Sequence, residues 1–236
     1  MTDTTGFELR SVTRVRQGRT VLDSIDLHIE TSGITALVGR SGAGKSSLVR
    51  LLNRLDTPDE GTVRWRGADL GTTDPCAHRR QVAHVAQRPI PFDGTVADNL
   101  RVADPALRDT SIIDLLGQVG IADRAEQNAA TLSGGEAQRM CIARALVSSP
   151  DVILADEPTS ALDGEARAGI EALAVDIAGQ GVAWVWVSHD ATQTRRLADR
   201  VIVMNAGRVL ATGTVDEIDT HTDEIVRRSL TTEGEG

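Results

Sequence analysis

The sequence predicts an α/β fold with a mostly parallel sheet, and three observations predict it. Short apolar runs of strand type recur along the chain, and segments of helical periodicity separate them. Each run ends in glycine or polar residues, as strands of an open α/β sheet do when they deliver side chains to a common edge. With 236 residues the chain can bury a large core, and one two-lobed domain suits it better than several independent ones.

The first eight residues are polar and give no secretory signal, and no run approaches the roughly 20 apolar residues that cross a bilayer. Work at a membrane would therefore need a second chain to supply the spanning part. Ile34-Thr35-Ala36-Leu37-Val38 reads as a strand, and residues 45–53 read as a helix with Leu48, Leu51 and Leu52 on one face. The loop between them, Gly39-Arg40-Ser41-Gly42-Ala43-Gly44-Lys45-Ser46, matches the G-x-x-x-x-G-K-[ST] phosphate-binding pattern. Its glycines let backbone N–H groups turn inward around an anion, and the helix that follows, with Ser47 in its first turn, adds the positive end of its dipole. Lys45 is the only lysine in the chain. A compact, flexible ammonium suits the outer phosphates of a nucleoside triphosphate, and the Ser46 hydroxyl suits Mg²⁺.

Three further apolar runs, residues 82–86, 152–155 and 182–187, end in Gln87, in Asp156 and Glu157, and in Ser188 and His189. An apolar strand that ends in two adjacent carboxylates is costly unless a cation or a reaction uses them. Asp156 is the expected Mg²⁺ partner with Ser46 and Gln87, and Glu157 is expected to orient the attacking water. Lys45, Gln87, Glu157 and His189 should then surround one crevice, with His189 on the γ-phosphate. Leu132-Ser133-Gly134-Gly135-Glu136 carries a capping box, Ser133 with Glu136, so a helix should start there and run until Pro150. Its N-terminus could hold phosphate oxygens.

Composition describes an ordinary globular protein, 40% hydrophobic and 25% charged. The net charge of −9, with no basic run, argues against nucleic acid as a partner. Cys76 and Cys141 are too few and too far apart for a disulfide framework or a zinc site, which points to reduced thiols in a cytosolic compartment. Cys141 falls in an apolar helical stretch and reads as packing. The segment from residue 220 onward is polar, ends Glu-Gly-Glu-Gly, and is expected to be frayed or weakly docked.

Taken together, these motifs resemble the nucleotide-binding subunit of an ATP-binding cassette (ABC) transporter over nearly the whole chain. In that family's order stand the Walker A loop (39–46), the Q-loop glutamine Gln87, the signature Leu132 to Glu136 with Gln138 and Arg139, the Walker B run ending at Glu157, the D-loop Ser160-Ala161-Leu162-Asp163 and the switch histidine His189. The resemblance implies a P-loop NTPase core with an N-terminal antiparallel β subdomain and a helical signature-motif subdomain. It implies one ABC ATPase domain over 1–236, with the catalytic core at 1–87 and 151–218, the helical part at 88–150 and a polar tail at 219–236. It also implies ATP and Mg²⁺ as cofactors, a permease transmembrane subunit as partner, a solute-binding protein in an import system, and a place on the cytoplasmic face of the membrane. A head-to-tail homodimer, or a pair with a related ATPase subunit, would hold ATP between Walker A of one chain and Ser133, Gly134 and Gly135 of the other, with Asp163 coupling the two sites.

Two positions depart from the family pattern. The adenine-stacking aromatic is replaced by Arg16, whose planar guanidinium can also stack on a base but leaves base selectivity open. Glu136 replaces the commoner glutamine, a mild change if its carboxylate folds back onto the helix start.

In the helical part, Arg88-Pro89-Ile90-Pro91-Phe92 is held extended by two prolines and should present Ile90 and Phe92 to the membrane partner. Residues 110–119 read as a capped amphipathic helix. Soluble ABC proteins of translation or repair would require a second cassette or long insertions, and a non-catalytic cassette would require a degraded Glu157, His189 or signature; the sequence has neither. Leu52-Asn53-Arg54-Leu55 and Pro158 to Asp163 resemble subunits serving small polar solutes such as phosphate or amino acids. The segment 94–100 resembles cassettes of metal or export systems, so cargo and direction stay open between the two.

Overall fold

The computed structural model describes residues 6–231. Most of the opening polar segment's first residues and the closing Glu-Gly-Glu-Gly lie outside that range.

Strands β1 (Gly6–Arg16) and β2 (Arg19–Glu30) open the chain as an antiparallel hairpin in which Arg16 pairs with Arg19. The two turn residues, Gln17 and Gly18, have φ of 51° and 74°, the double left-handed geometry whose twist suits a two-residue hairpin loop. β3 (Ile34–Val38) follows, then helix α1 (Lys45–Leu52), β4 (Glu60–Trp65), β5 (Ala68–Asp69), helix α2 (Pro75–Gln81) and β6 (Val82–Val85). β4 and β5 complete a four-stranded antiparallel sheet in the order β2-β1-β4-β5.

A helical stretch comes next, with α3 (Val96–Arg101), α4 (Asp109–Gln118), two 3₁₀ turns and α5 (Gly134–Leu146). β7 (Val152–Asp156), α6 (Gly164–Gly179), β8 (Ala183–Val187), α7 (Ala191–Leu197), β9 (Arg200–Asn205), β10 (Arg208–Gly213), α8 (Val215–Asp219) and α9 (Glu224–Arg228) finish the described chain. The second sheet has six strands in the order β10-β9-β3-β8-β7-β6, all parallel except the β9–β10 pair. The four strands read from the sequence are adjacent in it, as β3-β8-β7-β6.

Strand alternation divides the core. On β8, Ala183, Val185 and Val187 face the antiparallel sheet and α1, whereas Trp184 and Trp186 face the helices α3 to α6. β7 divides in the same way, with Val152 and Leu154 on one side and Ile153 and Ala155 on the other. A strand buried on both faces must read as a continuous apolar run, which is why β3, β7 and β8 were legible without any alternation of polarity.

Two expectations change. The helix near 110–119 spans Asp109–Gln118 with Arg108 as its N-cap, and no side chain caps it. Asp109 in its first turn places a negative charge at the dipole's positive end and pairs with Arg101. The region from 220 also holds more structure than its polarity predicts. α9 buries Val226, and Leu230 follows it into a third cluster with Ile218 and Val201. Two apolar side chains four residues apart suffice to dock a polar segment on one face.

Candidate functional site

Strand order fixes the arrangement of the site. The edge at the carboxyl ends of β3, β8, β7 and β6 carries Lys45, His189, Glu157 and Gln87 in that order. Their contacts run in the same order. Lys45 Nζ lies 3.4 Å from His189 Nδ1, His189 Nε2 touches Glu157 Oε1, and Gln87 Nε2 donates to Glu157 Oε2 at 3.2 Å and to Ser160 Oγ at 3.1 Å. The residues expected around one crevice are thus brought together.

Local backbone geometry explains how the loop and the carboxylate are aimed. Gly39 has φ 146°, and a Cβ there would sit 2.1 Å from the Met204 carbonyl oxygen of β9. Gly44 has φ 102°, and a Cβ there would meet Val21 O at 2.7 Å. Only glycine lets the 39–46 loop lie this close to both sheets. Glu157 has φ 49°, a left-handed conformation that is strained for a side chain of its kind and that directs its carboxylate off the end of β7. Such strain persists only where surrounding contacts hold it, and Gln87, His189 and the Ser160 N–H bond to Glu157 O supply them.

The loop is equipped for an anion. Gly44 is the N-cap of α1 and offers no side chain to its first-turn N–H groups, whereas α2, α3 and α5 to α9 are all capped by a side chain. Donors at a helix start that lack a cap, with the dipole behind them, make an anion site. Gly39, Arg40, Ser41, Gly42, Ala43, Gly44, Lys45, Ser46 and Ser47 all lie on this loop and the first turn of α1. Lys45 is 5% exposed, and its Nζ donates to Gly39 O at 2.7 Å and Arg40 O at 3.2 Å. Burial pushes its ammonium below the ordinary lysine pKa, while the Glu157 and Asp156 carboxylates oppose that shift.

Ser46 Oγ donates to Asp156 Oδ1 at 3.2 Å, which sets two hard oxygen donors side by side. Among the described residues no cluster of three or more His, Cys, Asp or Glu could hold a metal. That donor set fits Mg²⁺, which takes one or two protein oxygens and completes its shell with water and phosphate oxygens.

The glycine-bearing start of α5, the second place where phosphate was expected, is a capped helix end. Ser133 Oγ accepts from Glu136 N, and the Glu136 carboxylate folds back to Ser133 N at 2.9 Å and Ser133 Oγ at 2.8 Å, so the capping box is complete. Arg124 Nε donates to the other Glu136 oxygen at 2.9 Å, and the Ser133 bonds with this arginine hold the carboxyl below the usual glutamate pKa. Among the described residues no hydrogen bond joins Ser133, Gly134 or Gly135 to the cluster around Lys45. Asp163 N-caps α6 through Ala166 N at 2.9 Å. Arg16 ends β1, half-exposed, with its Nε 4.0 Å from Asp56, at the hairpin whose second strand brings Val21 against Gly44.

Ile90 and Phe92 are 62% and 45% exposed and line a cleft of about 510 Å³. Their loop is held from behind. Asn99 bonds both backbone groups of Phe92, and Arg144 of α5 donates to Ile90 O at 3.2 Å with its guanidinium 4.7 Å from the Phe92 ring.

Sequence reasoning missed a buried polar cluster beneath the edge, made of Thr159, Glu171, Ser188 and Gln193, each no more than 4% exposed. The available signal was the placement of Thr159 and Ser188 next to the two motif ends, together with a polar Gln193 in the helix that follows His189.

A family model described as ABC transporter matches residues 22–160. The phosphate import ATP-binding protein PstB 2 of Natronomonas pharaonis is 37% identical over 244 residues, covering 95% of this chain and 86% of that protein. The methionine import ATP-binding protein MetN of Leifsonia xyli is 40% identical over 226 residues, covering 90% of this chain and 66% of that protein. Among solved structures, cbiO1 from Clostridium perfringens, described as part of the ABC transporter complex cbiONQ, superposes with a TM-score of 0.84 at 24% identity over 93% of this chain and 92% of that one.

Proposed function

The chain belongs to the ABC transporter family and is an ATPase that drives transport, and on that premise we propose that two copies clamp ATP at a shared seam and power a separately encoded permease. One observation carries this reading. The Lys45, His189, Glu157 and Gln87 chain of contacts sits beside the uncapped start of α1, and among the described residues no hydrogen bond joins it to the glycine-bearing start of α5 at Ser133. A second copy, turned head to tail, would supply the missing half. A partner that is a related ATPase subunit would do the same.

In this reading the N–H groups of 39–47 and Lys45 hold the phosphates, and Arg16 lies against the base. Ser46, Asp156 and Gln87 would hold Mg²⁺, which when bound neutralises phosphate charge. Glu157 orients the attacking water and accepts its proton, and His189 donates to the γ-phosphate. Ser133, Gly134 and Gly135 act on the partner's nucleotide, and Asp163 stands between the two sites. The signature helix binds the γ-phosphate only in the closed pair, so hydrolysis removes the contact that keeps it closed.

Ile90 and Phe92 would seat the permease. Their cleft also carries Arg79, Arg80, Arg88 and Arg144 and no carboxylate, so a segment with acidic beside apolar side chains fits it. The relatives named for phosphate and methionine import favour a small polar solute and the inward direction, with a solute-binding protein outside and this chain on the cytoplasmic face. No described helix is long and apolar enough to cross a membrane.

Glu157→Gln tests the site. Its turnover should fall by about 10²–10⁴ and an ATP-bound dimer should accumulate in size-exclusion chromatography. Normal turnover would remove Glu157 from its role, and a protein that stays monomeric with ATP would remove the shared seam.

A further inference from the structure

The polar cluster beneath the edge is organised by one amide. Gln193 Oε1 accepts from Trp186 Nε1 at 3.1 Å and from Ser188 Oγ at 2.7 Å, while its Nε2 donates to Thr159 Oγ1 at 2.8 Å and to Glu171 Oε1 at 2.8 Å. The partners fix which way the amide points. An indole N–H can only donate and a carboxylate can only accept, so the oxygen must face Trp186 and the nitrogen must face Glu171. All four hydrogen-bonding positions of the side chain are then filled.

These partners come from three separate segments. Thr159 is two residues beyond Glu157, Ser188 immediately precedes His189, and Glu171 lies on α6 with Arg196 across it. Asp190 adds a second tie, since it accepts from Gln193 N at 3.0 Å while its own N–H donates to Ser188 Oγ at 3.0 Å. No hydrogen bond joins Gln193 to Glu157 or His189.

We propose that Gln193 is a positioning residue for hydrolysis, a single buried amide that sets the spacing between the Glu157 carboxylate and the His189 imidazole. This rests on the roles given above to those two residues. A buried amide with every bond made holds its partners in one arrangement, because any displacement leaves a polar group unpaired away from water. Two loops that each begin at a different strand end are thereby given one common reference point. The phosphate loop shares no hydrogen bond with this cluster, so the cluster reaches the nucleotide only through Glu157 and His189.

The test measures steady-state ATP hydrolysis and ATP affinity in the full chain. Gln193→Met keeps the length of the side chain and removes all four bonds. It should lower kcat ten- to a hundredfold while KM and the ATP dissociation constant stay within twofold. Ile177→Ala, a buried site on α6 away from the cluster, controls for stability: it should lower the melting temperature and leave kcat intact. Thr159→Val removes a single bond and should reduce kcat about threefold or more, and it decides the matter alone if Gln193→Met does not fold. The proposal is overturned if kcat stays within twofold, or if it falls no further than in Ile177→Ala at equal loss of melting temperature. Normal turnover in Glu157→Gln would instead overturn the underlying role of Glu157, so the two failures are distinguishable.

Discussion

Gly39→Ala tests how the phosphate loop is seated. The residue has φ 146°, and an added methyl would lie 2.1 Å from Met204 O, 3.1 Å from Met204 C and 3.3 Å from the Ala43 Cβ. Met204 belongs to β9, which pairs on both sides, so the carbonyl cannot rotate away as a flexible side chain would. Holding alanine in that backbone region costs about 1–3 kcal/mol. Forcing a methyl against the sheet costs roughly another 1–3 kcal/mol. For a chain of this size each kcal/mol lowers Tm by about 2–4 °C, so a fall on the order of 10 °C is expected. Gly42→Ala separates the two contributions: its φ is 78°, but its Cβ would meet nothing within 4 Å, so backbone strain alone remains. Thermal melts with and without ATP provide the assay. Gly39→Ala should show the larger fall and lose the ATP-induced rise in Tm, while Gly42→Ala should show the smaller fall. A Gly39→Ala protein within 2 °C of wild type, still stabilised by ATP, would refute the seating of the loop against β9.

Other expectations follow from single contacts. The Glu136 carboxyl is held below its ordinary pKa in the fold, so its contribution is complete above the unfolded value of about 4.3 and is lost as pH falls through the lower folded value. Glu136→Gln should retain the cap and flatten that part of the acid denaturation profile; an unchanged profile would show that the carboxylate does not contribute. Cys76 is exposed, whereas Cys141 is buried and burial pushes its thiol above the ordinary range. A maleimide should therefore label native protein once, at Cys76, and a second label should appear only on unfolding. Phe92→Asp should abolish stimulation of ATP hydrolysis by the membrane subunit, and full stimulation would reject the cleft as its seat.

The central sheet was legible because strands buried on both faces leave uninterrupted apolar runs, and the phosphate loop because its glycines and lysine are contiguous. The edge cluster was legible for a further reason: parallel strands end on the same side, so residues at run ends converge without any knowledge of strand order. Other features depend on contacts between distant segments. Gln193 occupies a short helix in which a glutamine ordinarily faces water, and only Thr159, Glu171, Ser188 and Trp186 arriving from elsewhere bury it. α9 looks solvated in composition, since its docking rests on Val226 and Leu230 meeting β9 and α8. The missing cap of α4 was misread because Thr110 and Ser111 are good capping residues that lie inside the helix.

Arg144 gives α5 a mechanical use. The helix that begins at Gly134 grips the exposed loop ten residues later, about 15 Å along its axis. The helix is hydrogen-bonded along its own length and anchored in the core through Met140, Ile142 and Ala143, so the loop at one end and the glycines at the other keep a fixed spacing. On the proposed pairing, the surface offered to the permease and the glycines offered to the neighbouring subunit's nucleotide therefore belong to one rigid element.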